Sequence, residues 1–203
     1  MISSGFTLFP QRLDAAAQRL LVAEVLAAVA KAPLYRPVAP SGPMSVEMTN
    51  FGPLGWITDA AGYRYDERHP VTGASWPPIP AALLSLWRDL ADTPVAPDAC
   101  LVNLYRGTAR MGLHQDRDEA DFAFPVLSVS LGDTALFRIG GAGRKAPTSS
   151  LRLASGDVCV LAGEARLAFH GIDRIFPGSS RLIPGGGRIN LTLRRARVGA
   201  PAL

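Results

Sequence analysis

The sequence predicts an α+β protein in which helices near the N-terminus precede a jelly roll or β-sandwich of short antiparallel strands. Three observations carry this prediction. Residues 14–32 and 81–91 repeat apolar side chains at helical spacing, and the second half of the chain is a succession of short apolar runs punctuated by Gly, Asp and Ser. Helices and strands also fall in separate blocks rather than alternating, which argues against a parallel α/β sheet. With 203 residues, 48% of them hydrophobic and 19% charged, one folded domain over residues 1–203 is expected, and a disordered chain is excluded.

The first helix, DAAAQRLLVAEVLAAVAKA, takes Asp14 as its cap and sets Leu20, Leu21, Val25, Leu26 and Val29 on a helical period, ending before Pro33. Residues 34–80 are rich in Pro, Gly and aromatics, with MSVEMTN, GWITD and YRYD as strands joined by turns. Loops that expose Trp and Tyr commonly meet a ligand. The second helix, Ala81 to Ala91, starts after Pro80 and directs Leu83, Leu84, Trp87 and Leu90 inward. From about residue 98 to 197 the runs CLVNLY, PVLSVSL, ALFRIG, SLRLAS, DVCVLAG and RINLTLRR form the strand core.

The N-terminus has no basic segment followed by an apolar run, and the most apolar stretch, Leu13 to Ala32, contains Asp14, Arg19, Glu24 and Lys31. No signal peptide or membrane span is therefore expected, and a soluble cytoplasmic monomer follows. Cys100 and Cys159 sit in apolar runs without CxxC spacing and read as buried reduced thiols. Residues 1–100 carry 7 basic and 9 acidic side chains and residues 101–203 carry 14 and 8, so the basic excess lies in the strand-rich half. That asymmetry is compatible with a polyanionic partner without requiring one.

The chemistry starts at GLHQDRDE. His114 and Asp116 share a side of an extended backbone, and imidazole with carboxylate suits a divalent first-row metal. A third ligand would complete a facial triad with open positions. His170, ending the apolar run RLAFH, is the better candidate than His69, which lies in the polar turn DERHPV and reads as solvated. In GGGRINLTLRR, Ile189, Leu191 and Leu193 alternate with Arg188, Asn190, Thr192 and Arg194. One strand face thus bears two arginines about 20 Å apart at roughly 3.3 Å per residue, able to fold inward on the ends of a small dicarboxylate. Asn103 and Tyr105 share a face that could finish the pocket. Metal triad and paired arginines suggest an iron(II) oxygenase that binds a keto-diacid; a zinc hydrolase would not need the arginines.

In these motifs (MSVEMTNFGPLGW, GYRY, NLYRGTARMGLHQDRDE, His170 and RxNxTxR) the chain resembles the AlkB family of iron(II)- and 2-oxoglutarate-dependent dioxygenases, over about residues 44–195, and most of all its bacterial branch that repairs alkylated bases. The resemblance implies a double-stranded β-helix core with a nucleotide-recognition lid at about residues 34–80. It implies iron on His114, Asp116 and His170, and 2-oxoglutarate held by Arg188 and Tyr105 at its far carboxylate with Asn103, Asn190 and Arg194 around the rest. O2 is the second cosubstrate, and succinate, CO2 and formaldehyde are the products. Trp56 would stack on a flipped methylated base, Tyr63, Met48 and Thr49 would contact base and phosphate, and Asp118 would accept hydrogen bonds near the exocyclic amine. The implied reaction is demethylation of N1-methyladenine and N3-methylcytosine in single-stranded or locally opened DNA. RNA, a protein side chain, or a silent nucleic-acid-binding role on the same fold are the alternatives. Arg144 and Lys145, in the probable hairpin GAGRKAP, are candidate phosphate contacts.

Overall fold

The computed structural model describes residues 4–39 and 42–197. In chain order its elements are β1 (Phe6–Phe9), α1 (Ala15–Val29), β2 (Val38–Ala39), β3 (Gly42–Pro43), β4 (Glu47–Phe51), β5 (Gly55–Asp59), β6 (Gly62–Asp66) and α2 (Ala81–Leu90). The second half adds β7 (Ala99–Tyr105), β8 (Met111–His114), β9 (Val126–Gly132), β10 (Ala135–Ile139), β11 (Ser149–Leu153), β12 (Val158–Leu161), β13 (His170–Ile175) and β14 (Arg188–Arg194). Antiparallel pairing builds a six-stranded sheet, β1-β12-β9-β14-β7-β4, and a four-stranded sheet, β11-β10-β13-β8. Two such sheets face to face make the expected jelly roll.

Two apolar layers follow from strand alternation. On β7 and β14, Cys100, Val102, Leu104, Ile189, Leu191 and Leu193 pack under the helices with Leu21, Val25, Leu83 and Trp87. The intervening residues of the same strands turn to the other face, toward the four-stranded sheet. Both strands are buried along their whole length, so the polar face of β14 points into the molecule and not into water. Register then sets Arg188 opposite Tyr105 and Asn190 opposite Asn103.

Asp14 caps α1 as expected, its carboxylate accepting the Ala17 N–H at 2.8 Å. The buried stripe of α1 runs through Gln18, Leu21, Val22, Val25 and Ala28; Leu20 and Leu26, though on a helical period, face solvent because the stripe is centred between them. No helix among the described residues is long and apolar enough to cross a membrane.

Residues 34–80 contribute strands to more than one sheet. β4 is an edge strand of the large sheet, paired with β7 from Glu47 through Phe51, whereas β5 and β6 form a separate two-stranded ribbon. His69 is also not solvated. It is 1% exposed, packs between the rings of Tyr35 and Trp76, and accepts the N–H groups of Val71 and Thr72 at Nδ1. Its Nε2 therefore carries the proton, donated to the Pro33 carbonyl at 2.7 Å. This histidine ties the start of the segment to its far end.

Candidate active site

His114 ends β8 and His170 begins β13, and the pairing of these strands sets the two residues opposite each other. Their rings lie 4.6 Å apart. Gly171 permits this approach, since a Cβ there would fall 2.5 Å from the Met111 carbonyl oxygen. Asp116, two residues beyond His114, brings Oδ1 within 3.7 Å of His114 Nε2 and Oδ2 within 3.8 Å of His170 Nε2. One ligand atom from each residue fits within a 4.8 Å span. Both Nδ1 atoms lie 2.9 Å from backbone carbonyls, of Gly112 and Ala168, which can only accept. Nδ1 must then carry the proton, leaving both Nε2 lone pairs for a metal, the second-sphere arrangement that fixes ligating histidines.

Arg194 orients the third ligand, donating to Asp116 through Nη2 at 2.9 Å and Nε at 3.2 Å. Burial alone would raise the Asp116 carboxyl, but Arg194 and the two imidazoles outweigh it and hold it well below the usual carboxylate range. Burial, with His114 beside it, lowers His170 to about 4. Below pH 6.5 the unfolded chain therefore protonates this ring first and the folded chain follows only near 4. The metal-free protein is expected to lose stability over that window, by on the order of 1–3 kcal/mol. Urea unfolding of chelator-treated protein at several pH values checks this. His170→Leu should flatten the loss, and parallel curves for the two proteins would refute the assignment.

Glu119, Arg166 and Tyr65, which sequence reasoning did not select, surround the ligand loop. Glu119 is buried, accepts from Arg166 at 3.0 Å and from the Tyr65 hydroxyl at 2.5 Å, and forms an ion pair with Arg194 at 3.3 Å. Arg166, 2% exposed, also donates to the carbonyls of Asp116 at 2.6 Å and Phe124 at 2.7 Å. Two acids and two guanidiniums thus balance one another around the ligand loop. Glu119 and Tyr65 lie in the motifs GLHQDRDE and GYRY, and the signal for Arg166 was an arginine inside the largely apolar run AGEARLAF.

A cavity of about 620 Å³ extends from the triad between the two sheets. Asn103, Tyr105, Arg188, Asn190 and Arg194 line it, as do Met48, Trp56, Tyr63 and Asp118. Of the two arginines expected at the ends of a diacid, Arg188 alone lacks a carboxylate among the described residues, because Arg194 is engaged by Asp116 and Glu119. The Asn190 amide is committed to the wall, donating to Ser128 and Val129. Thr49 corrects the sequence expectation. Its side chain points away from the cavity, 1% exposed, and its hydroxyl donates to the Ala32 carbonyl at 2.8 Å, so it cannot reach a base. Trp56 and Tyr63 are stacked at 5.5 Å, and the Trp56 indole N–H donates to Asp118 at 2.8 Å.

Arg188 is 1% exposed and donates through Nη2 to Ser130, yet among the described residues its Nε and Nη1 have no hydrogen-bond partner, nor does Asn103 Oδ1. Unsatisfied donors of a buried guanidinium are costly, and a carboxylate would satisfy them in charge-assisted geometry. The donor set at the other end, two neutral imidazoles and a carboxylate, suits iron(II).

A jelly roll presenting two histidines and one carboxylate, with an uncompensated arginine deeper in the same cavity, defines a metal-dependent oxygenase that takes an acidic cosubstrate. The chain belongs to the 2OG-Fe(II) oxygenase superfamily, whose profile matches residues 5–194, and within it to the AlkB family. It is 68% identical to the alpha-ketoglutarate-dependent dioxygenase AlkB homolog of Caulobacter vibrioides, over 95% of this chain and 88% of that one. Identity to the alpha-ketoglutarate-dependent dioxygenase AlkB of Escherichia coli is 41%, covering 87% and 83%. The solved structure of OsALKBH1 superposes with a TM-score of 0.84 at 30% identity, covering 96% of this chain and 98% of that one. The protein is thus a 2-oxoglutarate-dependent dioxygenase, and membership implies Fe(II) as its metal.

Proposed function

We propose that this dioxygenase removes methyl groups from N1-methyladenine and N3-methylcytosine in single-stranded DNA. One observation carries the reading: an aromatic pair, Trp56 and Tyr63, and a carboxylate, Asp118, line the same cavity as the metal triad. A flat, cationic methylated base matches an aromatic face beside an anion, and its neutral product matches it less well. A base within a duplex cannot enter such a cavity, so the substrate is a single strand or a flipped nucleotide. The nucleic acid dioxygenase ALKBH1 of Mus musculus, 31% identical over 61% of this chain, acts by its name on the same substrate class.

In this reading His114, Asp116 and His170 hold iron(II), and Arg188, with Tyr105 and Asn103 beside it, holds the far carboxylate of 2-oxoglutarate. Iron, 2-oxoglutarate and O2 together supply the oxidation of the methyl group, yielding succinate, CO2 and, after the hydroxylated group leaves the nitrogen, formaldehyde. Trp56 and Met48 position the base against the triad, and Asp118 holds the indole in place while offering its second oxygen to the exocyclic amine. Tyr63, half exposed at the rim, meets the backbone.

Mass spectrometry of a single-stranded oligomer bearing one N3-methylcytosine, incubated with protein, iron(II), ascorbate and 2-oxoglutarate, tests the reading. Loss of one methylene's mass that depends on 2-oxoglutarate is expected. Succinate release without any change in the oligomer would move the substrate to another class. Trp56→Ala should raise KM for that oligomer by about 5- to 150-fold, the worth of ~1–3 kcal/mol of base stacking, while KM for 2-oxoglutarate stays put. Equal shifts in both would show that Trp56 acts on the fold and not on the base.

A further inference from the structure

The outer face of the four-stranded sheet carries a second basic feature, on the side opposite the metal. Phe137 and Ile139 of β10 face the inner layer, so Leu136 and Arg138 face outward. Arg152 on β11 and Arg174 on β13 are both register partners of Leu136, one on each side. Their guanidinium carbons stand 4.9 and 5.9 Å from the centroid of one ring, Phe176. Both arginines are exposed. Neither has a carboxylate within ion-pair distance among the described residues, and Asp173 beside them is matched by Arg138 at 3.6 Å. Two like charges gathered on one aromatic ring, with no carboxylate in ion-pair range among the described residues, suit an external anion.

The pair also lies on a path to the cavity. Arg138 is two residues farther along β10 on the same face, and the loop after β10 carries Arg144 and Lys145. The Arg144 guanidinium lies 5.7 Å over the Phe169 ring and lines the cavity. Residues 134–156 contain four basic side chains and no acidic one. From Leu136 to the start of the loop at Gly140 the strand covers about 13 Å, a span of two or three nucleotides.

We propose that this face is a second contact for single-stranded nucleic acid, with Arg152 and Arg174 taking backbone phosphates at least two or three nucleotides away from the one in the cavity. The inference rests on the nucleic-acid reading of the cavity and adds to it a strand direction along β10. Guanidinium forks engage two phosphate oxygens at once, and Phe176 between them offers a surface for sugar or base.

The test combines strand binding with turnover. Fluorescence anisotropy with an unmodified deoxythymidine strand of roughly 15 nucleotides, long enough to reach both sites, compares wild type with the double variant R152E/R174E. The Kd is expected to rise at least ~10-fold, and the slope of log Kd against log salt to fall by about 1.4, for two lost phosphate contacts on a single strand. R152K/R174K should retain most of the affinity. Demethylation of a trinucleotide with a central N3-methylcytosine, whose single nucleotide on either side is too short to reach Phe176, should be unchanged in R152E/R174E, which also shows that the variant is folded. An unaltered Kd for the long strand in R152E/R174E, or a wild type that does not bind that strand, would overturn the proposal. Wild type that binds the long strand through these arginines yet demethylates no oligomer would instead overturn the reading of the cavity and leave this contact standing.

Discussion

Replacing Asp116 with asparagine is expected to reduce turnover more than 100-fold while leaving 2-oxoglutarate recognition at Arg188 in place. Losing a group that merely orients a ligand costs ~10- to 100-fold in metal affinity, and Asp116 is itself the only anionic member of the triad. Asparagine keeps the shape but removes the charge that draws iron(II) between two neutral imidazoles. It also leaves the Arg194 guanidinium, 6% exposed, with Glu119 as its remaining acid. The measurement is a titration of the metal-free variant with cobalt(II), followed by the visible absorbance of the bound ion, beside succinate release with iron(II). Wild-type cobalt affinity in Asp116→Asn would remove Asp116 from the metal. Retained metal affinity with lost turnover would recast it as a positioning residue.

What the sequence disclosed of this site depended on whether the signal was local. The polar face of β14 was legible because strand alternation is a two-residue rule; that this face is buried and not solvated follows only from the second sheet packed over it. His114 and Asp116 were legible because the spacing that joins them is also two residues. Glu119 and Arg166 were not, since their pairing spans 47 residues and exists only once the loop after β8 folds onto the turn before β13. His69 looked solvated for the same reason: its surroundings are Pro33, Tyr35 and Trp76, and its own neighbours in sequence are polar. Thr49 is the instructive failure. Adjacent residues on a strand face opposite sides, so Met48 in the cavity commits Thr49 to the other face, and pairing of β4 with β7 fixes which is which.

Replacing Arg188 with methionine should separate cosubstrate binding from folding. The guanidinium is buried with Nε and Nη1 unpaired among the described residues, and burial lowers its pKa, so in the ligand-free protein it is a cost and not a source of stability. Methionine fills similar volume without that cost. The ligand-free variant is therefore expected to melt no lower than wild type. Its KM for 2-oxoglutarate should rise by at least ~30-fold, since a truncated partner of a buried, hydrogen-bonded charge pair costs about 2–5 kcal/mol. Wild type should gain melting temperature on adding 2-oxoglutarate with a divalent metal, and the variant should lose most of that gain. Arg188→Lys, which keeps the charge but not the planar fork, should fall between them. A methionine variant that melts well below wild type while keeping its KM would assign Arg188 to the core, and the unpaired Nε and Nη1 would then mark a packing defect instead of a carboxylate site.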